Sequence, residues 1–226
     1  MGFGKIFKSI TKAIKSVVKI ITKPLSWLMP DIDIPDFGTT DFDDFEKGIL
    51  LNKQSNDASI PVIYGTRLVG GTRVFMETSG TDNTYLYMAL VMCEGEINGI
   101  TEIRVDDKVV TFASSLADNT AVEVGSSDSN FYKNSESLIR LEPHFGSDGQ
   151  SASSLLSTLS SWGSNHKLSG LAYLAIRFTW NQDAFSSIPK VQAKVQGKKI
   201  VTLNSSLVES SATFSANPAF CLLDYL

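Results

Sequence analysis

Residues 85–92 read YLYMALVM, a run of eight apolar and aromatic side chains that no charged residue interrupts. A strand with one face in water alternates polar and apolar residues, whereas a strand covered on both faces is apolar throughout. Tyr85–Met92 therefore predicts a strand that is buried on both faces. The sequence around it is rich in further short β-branched runs, and the fold class that we predict is mainly β (α+β).

Several shorter runs on both sides of this strand are also typical of β-structure. Gly70-Gly71 predicts a hairpin turn between two such runs, and Asp106-Asp107-Lys108 predicts a second one. The longest later strand is expected at Leu171–Trp180, and Gly197 is expected to form a turn between the last two strands. The paired runs are, in chain order, Ile60–Tyr64 with Val74–Met76, Glu102–Val105 with Val109–Phe112, and Val191–Val195 with Ile200–Leu203.

Residues 49–206 form the predicted β-rich hub domain, and two of its segments are not strand-like. Residues 113–137 are rich in Ser, Asn and Asp, which predicts a polar surface excursion. Leu155, Leu156, Leu159 and Trp162 recur at helical spacing, which predicts a short helix over residues 151–162. Residues 207–226 are the predicted start of a following helical segment, with Asn217-Pro218 at its N-terminus. We expect this apolar helix to continue, or to dock on a separate polypeptide.

Residues 1–23 form a basic amphipathic helix in our interpretation. The six lysines of this segment step by three and four, so at about 100° per residue they occupy an arc of roughly 80°. Pro24 ends the helix. The predicted basic face consists of Lys5, Lys8, Lys12, Lys15, Lys19 and Lys23. The predicted apolar interaction face consists of Phe3, Ile6, Phe7, Ile10, Ile14, Val17, Val18 and Ile21.

Residues 24–48 read as an acidic strap that contains Pro30 and Pro35. The charge is uneven here: Met1–Lys23 carries +6, Pro24–Glu46 carries −7, and the whole chain carries −4. Large apolar residues recur within the strap, which predicts that it lies extended along a protein surface instead of remaining solvated. The strap residues that we expect to make contacts are Trp27, Ile32, Ile34 and Phe37.

Few residues have the spacing of a catalytic or metal site. His144 and His166 are the only histidines, and we expect neither to be a metal ligand, although Glu142 lies two residues before His144. Glu94 and Glu96 could place two carboxylates at one strand end, and a solvated strand end is the simpler interpretation. We predict no catalytic residue, no metal, no cofactor and no sequence-specific nucleic-acid binding. Cys93 and Cys221 are expected to be free thiols.

One long stretch, Ile49–Glu96, resembles the N-terminal part of phage tail-tip hub proteins, also called baseplate hub or central tail hub proteins. The resemblance lies in NKQSN (Asn52–Asn56), IPVIYG (Ile60–Gly65), VGGTRVF (Val69–Phe75), ETSG (Glu77–Gly80) and CEGEI (Cys93–Ile97). Further segments are similar to the family in the expected order, namely WLMPDIDIPDF (Trp27–Phe37), GLAYLAIRFTW (Gly170–Trp180) and ANPAFCLLDYL (Ala216–Leu226).

The resemblance implies a structural protein of the virion, assembled in the host cytoplasm and located at the distal tail tip of a long-tailed phage. Such a hub is a homotrimer that caps the tail tube. Its implied partners are the distal tail protein, the C-terminus of the tape measure protein and other tail-tip proteins. Members of this family are usually much longer than 226 residues, so we expect either a fragment of a longer hub or one part of a divided hub.

Two other functions are alternatives to a structural one. The basic amphipathic helix could act on a membrane, such as the host membrane during entry, because lysines and an apolar face are typical of helices that lie in a bilayer surface. That alternative leaves the β-rich domain without a role. A hydrolase that acts on cell-wall material has no supporting motif in the sequence.

Overall fold

The computed structural model describes residues 59–206 and 208–226, all of which belong to the compact unit Phe42–Leu226. The predicted basic helix (residues 1–23) and acidic strap (residues 24–48) lie outside the described residues. The fold class is confirmed as mainly β, with antiparallel pairing throughout the described part.

The described residues contain twelve strands, one α-helix and two single turns of 3-10 helix (Thr81–Asn83 and Leu156–Thr158). The strands are β1 (Thr66–Val69), β2 (Thr72–Ser79), β3 (Tyr85–Glu94), β4 (Ile97–Val105), β5 (Lys108–Val109), β6 (Val122–Glu123), β7 (Tyr132–Lys133), β8 (Glu136–Ser137), β9 (Ile139–His144), β10 (Leu171–Thr179), β11 (Val191–Ile200) and β12 (Thr213–Phe214). The helix is α1 (Pro218–Tyr225).

Sheet I has the strand order β2-β3-β10-β9-β6, and β3 is the strand that YLYMALVM predicts. β3 is buried from Tyr87 to Cys93, so both of its faces are covered as the unbroken apolar run requires. β10 pairs with it along its whole length and is buried from Ala172 to Ile176. The neighbouring strands β3 and β10 are therefore the two that the sequence marks most clearly.

Sheet II has the order β1-β11-β4-β5, with β12 also paired to β11. The hairpin between β4 and β5 is confirmed. Asp106 and Asp107 both have positive φ angles, 48° and 64°, as a two-residue hairpin turn requires. The second strand is shorter than predicted and begins at Lys108.

The two glycine turns were predicted wrongly. β1 pairs with β11 and β2 pairs with β3, so Gly70-Gly71 carries the chain from sheet II to sheet I instead of closing a hairpin. Gly197 lies inside the continuous strand β11. A β-carbon on Gly197 would lie 2.0 Å from the Ile63 carbonyl oxygen, so the glycine permits a close backbone approach and makes no turn.

Sheets I and II enclose the main core, which contains Leu90, Met92, Leu174, Ile103 and Val195. The other face of sheet I is covered by residues 155–162 in a second core. The predicted helix over residues 151–162 is wrong. The segment contains only the 3-10 turn Leu156–Thr158. The hydroxyls of Ser157 and Thr158 donate to backbone carbonyls of the preceding turn, an interaction that competes with regular helix.

Residues 113–137 are largely irregular, as predicted, with only β6, β7 and β8 of two residues each before position 138. Asp128 is buried, and its carboxylate bonds to the backbone at three points in and beside this excursion. Its carboxylate accepts hydrogen bonds from the backbone N–H groups of Thr111 (2.8 Å), Asn130 (2.9 Å) and Phe131 (3.1 Å). The Asp128 carboxylate therefore adds to the buried Val122, Val124 and Phe131 side chains in fixing the excursion to the core.

Candidate interaction surface

The interaction residues predicted from the sequence cannot be placed in this fold. Both faces of the basic helix and all four strap residues lie outside the described residues, and their roles stay predictions. The candidate functional surface must therefore be built from residues 59–206 and 208–226.

Glu142 and His144 come together as their spacing on β9 allows, because residues two apart on a strand share a face. The Nε2 atom of His144 lies 3.5 Å from Oε1 of Glu142. The imidazole stacks on the Tyr173 ring with 4.2 Å between centroids and 3° between planes. All three residues are buried. A substrate in solvent does not reach them, so this cluster has the features of a structural centre.

The Glu142 carboxylate fixes the segment that covers sheet I. It accepts hydrogen bonds from the Ser153 hydroxyl (2.7 Å), the Leu155 N–H (2.7 Å) and the Ser154 N–H (3.2 Å). Burial alone would raise the pKa of Glu142. His144 and the hydrogen bonds outweigh burial and lower the pKa to about 2. The carboxylate is therefore ionised at neutral pH, and the hydrogen-bond donors around it stabilise its negative charge.

The other candidate groups are separated from one another. The carboxylate of Glu96 pairs with the Lys199 ammonium at 2.5 Å, whereas Glu94 is exposed at the end of β3. His166 lies in an exposed turn, where its ring contacts the backbone of Gly163. Within the described part of the chain, no group of His, Cys, Asp and Glu could hold a metal ion. None of the helices described there is long and apolar enough to cross a membrane.

Both cysteines are free, as predicted. The Cys93 sulfur is buried and accepts the N–H of Ile63 at 3.3 Å. Burial raises the pKa of the Cys93 thiol to about 11, so this thiol is unreactive at neutral pH. Cys221 is half-buried on α1 and is the more accessible of the two.

The first exposed apolar surface is a groove beside β2, which we name the edge groove. Met76 on β2 is 40% exposed, Trp180 after β10 is 56% exposed and Ile188 is 51% exposed. These residues surround a concave, almost entirely apolar space floored by Phe178 and Phe185. β2 lies at the margin of sheet I, with one strand neighbour among the described residues. Apolar grooves at sheet margins are typical of protein interaction sites.

The second exposed apolar surface is a groove between the segment after Ser59 and helix α1, which we name the helix groove. It is lined by Val62, Tyr64, Cys221, Leu222 and Tyr225. Leu222 and Tyr225 are 58% and 75% exposed. Together with Val62, these two side chains form one exposed apolar patch.

Helix α1 is held firmly although its outer face is exposed. Asn217 caps it by accepting the N–H of Ala219 at 3.0 Å, as the sequence predicts. Asp224 accepts the Tyr64 hydroxyl at 2.6 Å and pairs with the Lys198 ammonium at 2.7 Å. Burial alone would raise the pKa of Asp224, but the hydrogen bonds from Lys198 and Tyr64 lower it. The helix groove is thus a preformed surface.

The sequence indicated the helix groove in part and the edge groove not at all. The apolar end of the chain, with Leu222, Leu223, Tyr225 and Leu226, signalled a helix that needs a partner. Met76, Trp180 and Ile188 come from three separate segments, and no local pattern indicates that they meet.

Comparisons with known proteins identify one curated relative. The chain is 26% identical to the baseplate hub protein pb3 of Escherichia phage T5, over 74% of this chain. The match covers 22% of that relative, so the chain spans about a fifth of its length. A search of protein-family models gives no match.

Among solved structures, the chain is similar to a chain of the virion of a native gene transfer agent particle. The TM-score is 0.44 and the identity 16%, over 66% of this chain and 29% of the other. That similarity is too low to support a conclusion. The sequence match confirms the predicted resemblance to phage baseplate hub proteins and supports a location at the virion tail tip.

Proposed function

We propose that this chain forms a homotrimeric hub that caps the tail tube and contacts the distal tail protein and the tape measure protein. The observation that carries the proposal is the match to a baseplate hub protein over 74% of the chain. The two exposed apolar grooves support it, because a subunit of a closed ring needs surfaces that its neighbours cover. The buried state of Glu142 and His144 also fits a chain that acts by assembly and performs no catalysis.

The symmetry of the intact particle tests this proposal. We expect a reconstruction of the virion to show three copies of the chain around the tail axis, with the edge groove or the helix groove at a subunit contact. Six copies or a single copy at the tail tip would contradict the trimer. Both grooves facing solvent in the particle would remove the structural support for the ring.

The basic N-terminal helix is proposed to pack against protein near the tail axis, through Ile10 and Ile14 on its apolar face. A helix of about 20 residues is marginally stable alone in water, so its apolar face needs a partner. Ile10→Asp or Ile14→Asp is expected to reduce particle assembly, measured as the yield of infectious virions. Lys12→Asp, on the basic face, is the matched control for an added carboxylate.

A membrane-active function is the second candidate, and the six lysines on one helix face favour it. The same variants separate the two functions. If Ile10→Asp particles assemble normally and the wild-type helix is labelled freely at its lysines and binds liposomes, the membrane function is correct and the packing proposal is wrong.

A further inference from the structure

A cleft opens in the segment that covers sheet I, and we name it the serine cleft. It is lined by residues 149–152, Ser157, residues 162–164 and Lys167, and its volume is about 460 Å³. Sites for small ligands usually measure roughly 300–1,000 Å³. We propose that the serine cleft binds a phosphorylated sugar. This ligand site goes beyond the assembly function, and it does not depend on the proposed trimer.

The walls of the serine cleft are joined by one buried side chain, Gln150, which is 3% exposed. Its amide Nε2 donates to the backbone carbonyls of Lys167 (2.9 Å) and Leu168 (2.6 Å), and its Oε1 accepts the Gly146 N–H at 3.0 Å. These bonds fix the first wall of the cleft to the last wall. The cleft is therefore preformed, and a ligand that enters it has to order little of the protein.

The polar groups of the cleft are mainly hydrogen-bond donors. Ser151, Ala152 and Ser164 make no hydrogen bond to any residue of 59–206 or 208–226, so their N–H groups and the two hydroxyls are available. The Lys167 ammonium has no ion pair within the same ranges. Backbone N–H groups, hydroxyls and an ammonium together bind anions that carry several oxygen acceptors. A phosphate group has this chemistry.

The carboxylates closest to the cleft along the chain do not line it. Asp148 precedes the first wall, and its Oδ1 atom lies beside Gly170. Glu77 accepts the hydroxyl of Ser161, which precedes the second wall. The described residues that line the cleft include no Asp or Glu, so its own charge is that of Lys167 alone.

Trp162 gives the cleft an apolar wall as well as a further donor. The side chain is 4% exposed and is held edge-to-face against Phe75, with 5.0 Å between ring centroids. Its Nε1 has no acceptor in the described part of the chain, and a ligand oxygen that reaches it would supply one. Ala152 and Gly163 continue the apolar wall. A bare phosphate ion would leave this wall uncovered, whereas the C–H groups of a sugar ring would pack on it.

Isothermal titration calorimetry of the purified full chain, in a buffer without phosphate, tests the proposal. The probes are glucose 6-phosphate, glucose and inorganic phosphate. We expect glucose 6-phosphate to bind about tenfold more tightly than either of the others, because it alone uses both the donors and the apolar wall. Equal affinity for inorganic phosphate or for glucose would overturn the proposal, and so would the absence of glucose 6-phosphate binding.

A charge-removing variant shows whether the ligand lies at Lys167. Lys167→Gln is expected to weaken glucose 6-phosphate binding about tenfold, because it removes the ammonium from the cleft. Lys194→Gln is the matched control, since Lys194 is exposed on β11 and does not line the cleft. If both variants weaken binding equally, the overall charge of the protein attracts the ligand and the proposal is wrong.

A charge-adding variant tests the opposite wall. Ser164→Glu places a carboxylate in the cleft and is expected to abolish binding by repelling the phosphate group. Ser160→Glu adds the same charge at an exposed serine outside the lining and should leave the affinity unchanged. Circular dichroism verifies that both variants are folded. Native affinity in folded Ser164→Glu would show that the ligand binds elsewhere.

Discussion

Gly197→Ala is expected to lower the free energy of unfolding by about 3–5 kcal/mol, because its β-carbon would make the closest contact of any glycine in the described residues. The new β-carbon would lie 2.0 Å from the Ile63 carbonyl oxygen and 2.6 Å from its carbonyl carbon. The backbone at residue 63 must move away, which breaks the bond from the Lys198 N–H to the Ile63 carbonyl (2.8 Å). Urea unfolding followed by circular dichroism measures the change.

Gly149→Ala is the matched control, because a β-carbon there meets no atom within 4 Å. Its free energy of unfolding should stay within about 0.5 kcal/mol of that of the native protein. If Gly197→Ala unfolds at the same urea concentration as Gly149→Ala, the segment around Ile63 does not lie against β11 as described.

Glu142→Gln is expected to destabilise the protein by about 2–3 kcal/mol at pH 7, because the pKa of Glu142 is lowered from 4.5 to about 2 on folding. The amide mimics the protonated acid and presents donor hydrogens to the Ser153 hydroxyl and the Leu155 N–H, which are themselves donors. The covering segment 153–159 should loosen first. Urea unfolding at pH 7 measures the loss.

The pH dependence of this variant distinguishes the charge from simple packing. The carboxylate contributes its full stabilisation above about pH 4.5 and loses it as the pH falls through about 2. The difference in the free energy of unfolding between the native protein and Glu142→Gln should therefore shrink steadily between pH 5 and pH 2. Glu94→Gln, at an exposed site, should show almost no difference at either pH. If the stability difference between Glu142→Gln and the native protein stays constant with pH, that result would contradict the role of the ionised carboxylate.

The sequence predicted those parts of the fold that depend on local pattern. YLYMALVM and LAYLAIRFT carry enough apolar side chains to require burial on both faces, whatever their neighbours are. Asp106-Asp107 tolerates the positive φ angles of a two-residue hairpin. Asn217-Pro218 favours a helix start. Each of these signals acts over a few residues, and each was found.

Predictions that depend on distant partners failed for a physical reason. A glycine between two β-branched runs has the same local preference in a hairpin, a sheet crossing and a close backbone approach. Gly70-Gly71 carries the chain between the two sheets because β1 pairs with β11, which lies more than 100 residues later in the chain. Gly197 is a close approach because Ile63 packs on it. The edge groove could not be predicted for the same reason, because its residues come from segments that are far apart in the sequence.

The order in which strands enter the two sheets has a consequence for synthesis. β1 and β4 are both hydrogen-bonded to β11, which therefore lies at the centre of sheet II. Between Val105 and Val191 the ribosome adds roughly 85 residues, which takes about 4–17 s at 5–20 residues per second. During that interval the nascent chain holds β1 and β4 without the strand that joins them. Until the chain leaves the ribosome, β1 and β4 would therefore have to be covered by chaperones or by the early collapse of sheet I.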